Sequence, residues 1–80
     1  MENKSAYRIK LRKRILEELY TYYFDNNGSD KFIAADIEDN ETNLAYIYLE
    51  QKGFIELKNM NQPLAATAKI TAYGIDEVEK

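Results

Sequence analysis

The chain has 80 residues, no cysteine, no histidine and a net charge of −3 at pH 7. That length suits a single domain near the lower end of what one hydrophobic core supports. The missing residue types exclude a disulfide framework and any zinc or haem site built on thiolate or imidazole.

The basic opening, "MENKSAYRIKLRKR", holds Lys4, Arg8, Lys10, Arg12, Lys13 and Arg14 against Glu2 alone. The remaining residues carry five basic and thirteen acidic groups, so the charge is strongly lopsided. Such asymmetry points either to a polyanionic partner or to a solvated helix face paired with Glu17 and Glu18. From about Ser5 to Asp25, Leu11, Ile15, Leu19, Tyr22 and Tyr23 recur at helical spacing with no Gly or Pro between them. "DNNG" stops this helix at Gly28. "SDKFIAADIE" predicts a short second helix, capped by Ser29 or Asp30, with Phe32, Ile33 and Ile37 facing inward. Asp39 or Asn40 caps a third helix from about Glu41 to Lys52, and Gly53 ends it. "FIELK" then alternates Ile55 and Leu57 with Phe54, Glu56 and Lys58, a strand pattern. "NMNQP" is a turn and "AATAKI" a second strand. Thr71 caps a last short helix, with Ile75 and Val78 on one side and Gly74 weakening its first turn.

The order of these elements, with "IAADI", "LEQKGFIEL" and "KITAYG" as its markers, resembles the winged helix-turn-helix domain. The "IT" plus glycine after the second strand resembles MarR-like and PadR-like regulators, and in length and acidity the chain resembles the small phage-type YjcQ-like proteins. The resemblance implies an α+β fold of three helices, a two-stranded wing and a short C-terminal helix. It also implies a third helix in the major groove and a wing against the phosphates. The function to expect is therefore a cytoplasmic DNA-binding transcriptional regulator, with Arg8, Lys10, Arg12, Lys13 and Arg14 as phosphate contacts and Lys58, Asn59 and Asn61 on the wing. The regulators it resembles act as homodimers, so a homodimer is expected as well.

Tested against the residues, the third helix gives a mixed answer. At 100° per residue Thr42, Ala45, Tyr46 and Leu49 share the core side. Asn43, Ile47, Glu50 and Gln51 face outward, with Leu44 and Tyr48 at the margin. Asn43 and Gln51 have the chemistry to read adenine, and Ile47 to touch a thymine methyl. However, Asp36, Glu38, Asp39 and Glu41 gather at the start of the helix. These acids suit the helix dipole and oppose phosphate. "DIEDNE" lacks the glycine and spaced glutamate of a calcium loop.

A second class of function competes with DNA binding. The chain has seven tyrosines, and Tyr20, Tyr22 and Tyr23 spread around the first helix. Together with Leu44, Ile47 and Tyr48 they form either a core of large side chains or an exposed protein-binding patch. An enzyme is not expected: neither Ser5 nor Ser29 lies in a nucleophile motif, and there is no glycine-rich phosphate loop. No cofactor or metal is implied. No apolar run approaches the roughly 18 residues of a membrane span, and no apolar region of a secretory signal follows the basic opening. One domain over residues 1–80, with residues 1–14 as its basic segment, is the expected organisation.

Overall fold

Asn3 opens the first helix by accepting hydrogen bonds at its side-chain oxygen from the backbone N–H groups of Ser5 (2.9 Å) and Ala6 (3.4 Å). The helix, α1, runs Lys4–Asp25. The structure is a computed structural model that describes residues 3–80, so the first two residues of the basic segment 1–14 lie outside the described residues. The rest of that segment is helix, not a separate arm. Leu11, Ile15, Leu16 and Leu19 are the buried face of α1, the stripe that apolar residues three and four apart produce. Residues 3–10 are all exposed, so the first turns extend beyond the core. At the other end the Gly28 N–H donates to the Tyr23 carbonyl at 2.7 Å, closing the helix as expected.

The predicted second helix is not formed. Lys31–Phe32 is a short strand, β1, followed by a single 3-10 turn at Asp36–Glu38. The cause is tertiary: β1 pairs antiparallel with a later strand, and the Ile33 N–H donates to the Ala66 carbonyl at 3.0 Å. An N–H committed to a neighbouring strand cannot serve a helical ladder. Strand geometry also turns alternate residues to opposite faces. Phe32, expected inward, is therefore 72% exposed, while Ile33 beside it is buried.

The third predicted helix is α2, Asn40–Gln51, and its core side is Ala45, Tyr46 and Leu49, as the spacing required. Thr42, assigned to the same side, is half-buried. β2 (Ile55–Lys58) and β3 (Thr67–Ile70) follow, joined through a 3-10 turn at Pro63–Ala65. Their register sets Ile55 opposite Ile70 and Leu57 opposite Ala68 on the inner face, with Glu56 opposite Lys69 on the outer one. The sheet has three strands in the order β1-β3-β2, not the two expected. β3 is thus the central strand, which is why Thr67, Ala68 and Ile70 are all buried.

The last helix, α3 (Ala72–Glu79), is capped by Thr71, whose Oγ1 accepts from the Gly74 N–H at 3.1 Å. It docks back on α1, where the Tyr20 hydroxyl donates to Glu79 Oε2 at 2.6 Å. The architecture is α+β: three helices and a three-stranded antiparallel sheet around one core, an arrangement compatible with a winged helix.

Candidate functional site

The surface with the most chemistry lies where the exposed first half of α1 runs beside α2. α2 begins at Asp39, whose Oδ2 accepts from the Thr42 N–H at 2.9 Å and the Thr42 hydroxyl at 2.8 Å. These bonds, the backbone one first, hold the Asp39 carboxyl below its ordinary range. Two residues on, Glu41 receives Arg8 as a fork, with Nε at 2.9 Å from one oxygen and Nη2 at 2.7 Å from the other. That hydrogen bond lowers the Glu41 carboxyl and raises the Arg8 guanidinium from their ordinary values. One turn further along α1, the Arg12 guanidinium lies over the Tyr48 ring, 4.0 Å from its centroid.

The nominated phosphate contacts therefore fall into two sets. Arg8 is paired with Glu41, Arg14 with Glu18 at 3.7 Å, and Lys58 with Asp30 at 3.3 Å. Lys10 and Lys13 are exposed and have no carboxylate partner among the described residues. On the hairpin, Asn59 takes a left-handed conformation, φ 61°, and its Nδ2 donates to the Ala65 carbonyl at 3.2 Å. It shapes the turn. Asn61 is exposed beside it, and the most prominent side chain of the turn is Leu64, 91% exposed.

On α2, Asn43 and Ile47 are half-buried and Gln51 is exposed. Leu44 and Tyr48 are exposed apolar side chains, Leu44 by 53%. The tyrosines of the first helix are less available: Tyr20 and Tyr23 pack on the core from its edge, and Tyr22 is half-buried. Phe24, exposed, packs at a tilt against Tyr20 and edge-to-face against Tyr23, at centroid distances of 5.0 and 5.1 Å.

Two concavities flank the Arg12–Tyr48 stack. A small one of about 310 Å³ lies between Arg8, Leu11, Glu41 and Leu44. A larger one of about 730 Å³ lies between α1, the end of α2 and α3. Among the described residues, no group of three or more His, Cys, Asp or Glu is arranged to hold a metal ion, and no helix is long and apolar enough to cross a membrane.

The Arg8–Glu41 pair joins residues 33 positions apart, so no local pattern could announce it. The Arg12–Tyr48 stack is equally invisible in the sequence, although each residue stands out there by itself. No protein-family model, no curated protein and no solved structure matches the chain.

The two lowered carboxyls give a prediction about acid stability. A carboxyl whose folded pKa lies below its unfolded value stabilises the fold fully above that value, about 4, and the contribution is lost as pH falls through the folded pKa. The pair Asp39→Asn and Glu41→Gln is expected to flatten the fall of Tm below about pH 4. An acid limb as steep as that of the unsubstituted chain, measured by thermal melts across that range, would rule out these two groups as its source.

Proposed function

We propose that the chain is a winged-helix-type interaction module that docks a protein partner on the surface formed by α1 and α2. The element order and the β1-β3-β2 sheet are compatible with that fold. The observation that carries the functional half is the charge at the start of α2. Asp36, Glu38, Asp39 and Glu41 crowd the end of the helix that a phosphate backbone would approach, and Arg8 already serves Glu41. Beside them Leu44 and Tyr48 present exposed apolar surface. An aromatic ring held by an arginine is a rigid contact at low entropic cost, the kind of anchor enriched in protein interfaces.

The second reading is a dimeric DNA-binding transcriptional regulator of the cytoplasm. In its favour, Lys10 and Lys13 stand exposed on α1 without carboxylate partners among the described residues. Arg8–Glu41 is a solvent-screened surface ion pair, so phosphate could displace the carboxylate there. What it could not remove is the acidic field of the four neighbouring acids.

Titrating a labelled generic duplex at low and near-physiological salt separates the two. Deleting residues 1–14 is unsuitable as a control, because it removes the buried Leu11 and the first turns of α1. The double charge reversal Lys10→Glu with Lys13→Glu leaves the core intact. The expected result is weak binding that disappears at near-physiological salt, since each phosphate contact contributes about −0.9 to the salt slope. Binding that persists there and is abolished by the double reversal would establish the DNA reading instead.

A further inference from the structure

The larger concavity, about 730 Å³ between α1, the C-terminal end of α2 and α3, carries an excess of positive charge. Its floor is apolar: Leu16, Leu49, Phe54 and Val78. Its walls bring Arg12, Lys13, Lys52 and Lys80 together against only Glu17 and Glu77. On a protein of net charge −3, this is a locally positive groove. Lys80 is paired with Glu77 at 2.8 Å, and Arg12 lies on Tyr48. Lys13 and Lys52 form no ion pair among the described residues.

We propose that this groove binds an acidic amphipathic segment of a partner protein, with apolar side chains on the floor and carboxylates on Lys13 and Lys52. The proposal rests on the protein-interaction reading above and names the partner's chemistry. Complementary charge selects the occupant. Four cations against two carboxylates attract an acidic segment and repel a basic one. A nucleic acid would meet the same cations but leave the apolar floor uncovered. An amphipathic helix laid in a groove satisfies both parts at once, through anchors at i, i+3, i+4 and i+7. Ile9, exposed at the groove's edge, extends the apolar surface such a helix would cover.

The probe is a fluorescein-labelled synthetic peptide of about four helical turns, with Leu and Phe at the anchor spacing and Glu elsewhere. Anisotropy is measured with the full chain. Two further peptides, one with every Glu replaced by Lys and one of scrambled order, are run beside it. The acidic peptide is expected to bind in the micromolar range and the other two at least about tenfold more weakly. The double substitution Lys13→Glu with Lys52→Glu, both at exposed positions, is expected to weaken binding about tenfold or more, with an unchanged circular dichroism spectrum. Lys58→Glu, on the hairpin, is expected to change nothing.

Equal binding of the three peptides, or full binding by the double variant, would overturn the proposal. So would a stable dimer in sedimentation that the double variant dissociates, because a second copy would then be the occupant. Generic duplex binding that resists near-physiological salt would overturn the wider reading as well. Failure of the acidic peptide without duplex binding overturns only the groove's assignment.

Discussion

Replacing Gly74 with alanine is expected to lower Tm by about 5–15 °C, although alanine is the better helix former by about 1 kcal/mol. The reason is how α3 leaves the sheet. The Thr71 N–H donates to the Phe54 carbonyl at 2.9 Å, and Thr71 Oγ1 donates to the Gly53 carbonyl at 2.6 Å. These bonds clamp the first turn of α3 on the backbone that enters β2. A Cβ at Gly74 would lie 2.1 Å from the Phe54 oxygen and 2.6 Å from Ile70 Cγ1. The first obstacle is backbone, so no rotamer change relieves it. Either the Phe54 carbonyl moves and its bond to Thr71 is lost, or α3 lifts and uncovers Ile75 and Val78. Overpacking costs about 1–3 kcal/mol, and with backbone as the obstacle the upper part of that range applies, which leaves a net loss of about 1–2 kcal/mol after the gain in helix propensity. Gly53→Ala is the useful comparison. Nothing lies within 4 Å of a Cβ there, but φ is +79°, so only backbone strain is added. A Tm for Gly74→Ala equal to or above that of the unsubstituted chain would mean that α3 does not seat as described.

That glycine also shows where sequence reasoning stops. Read along the chain, Gly74 is a weak spot in a helix. Only the approach of Phe54 and Ile70 shows that the position requires the absence of a side chain. The features legible in advance were those whose cause is local. Asp39 and Thr71 cap the following turns because their oxygens reach N–H groups three residues on. Ala45, Tyr46 and Leu49 share a face because a helix repeats every 3.6 residues. The strand at Lys31–Phe32 is not legible because two residues have no pattern of their own; the edge of β3 creates it. The candidate surface was legible as composition and not as geometry. Arg8, Arg12, Leu44 and Tyr48 were each conspicuous, yet whether the basic segment lay along α2 or away from it depended on the packing of α1. That packing sets Arg8 against Glu41 and Arg12 over Tyr48, so two of the six basic side chains of residues 1–14 are engaged with α2 itself.

Tyr46 connects that surface to the core, and its truncation is expected to be the most damaging change on α2. It is the largest fully buried side chain, 1% exposed, and belongs to the cluster that joins α1, α2 and the sheet. Tyr46→Ala is expected to cost about 3–5 kcal/mol, by analogy with truncation of other buried aromatic rings. A chain of this length has about 4–12 kcal/mol of stability in total, so the variant should be largely unfolded or melt at far lower temperature. A loss under about 1 kcal/mol in chemical denaturation would show that the core is not organised around this ring. Tyr46→Phe separates ring from hydroxyl. Burial first, then the negative charges of Asp36 and Glu18, raises the Tyr46 phenol above its ordinary value. A folded pKa above the unfolded one means that the folded chain keeps a proton the unfolded chain releases. Stability is therefore unaffected below about pH 10 and falls as pH rises beyond it. The Tyr46 hydroxyl takes part in no hydrogen bond among the described residues, so removing it leaves no orphan. Tyr46→Phe is thus expected to match the unsubstituted chain at neutral pH and to be the more stable of the two above about pH 10. Parallel stability curves through that range would show that the phenol titrates freely, and that the α1–α2 contact is looser than the buried ring requires.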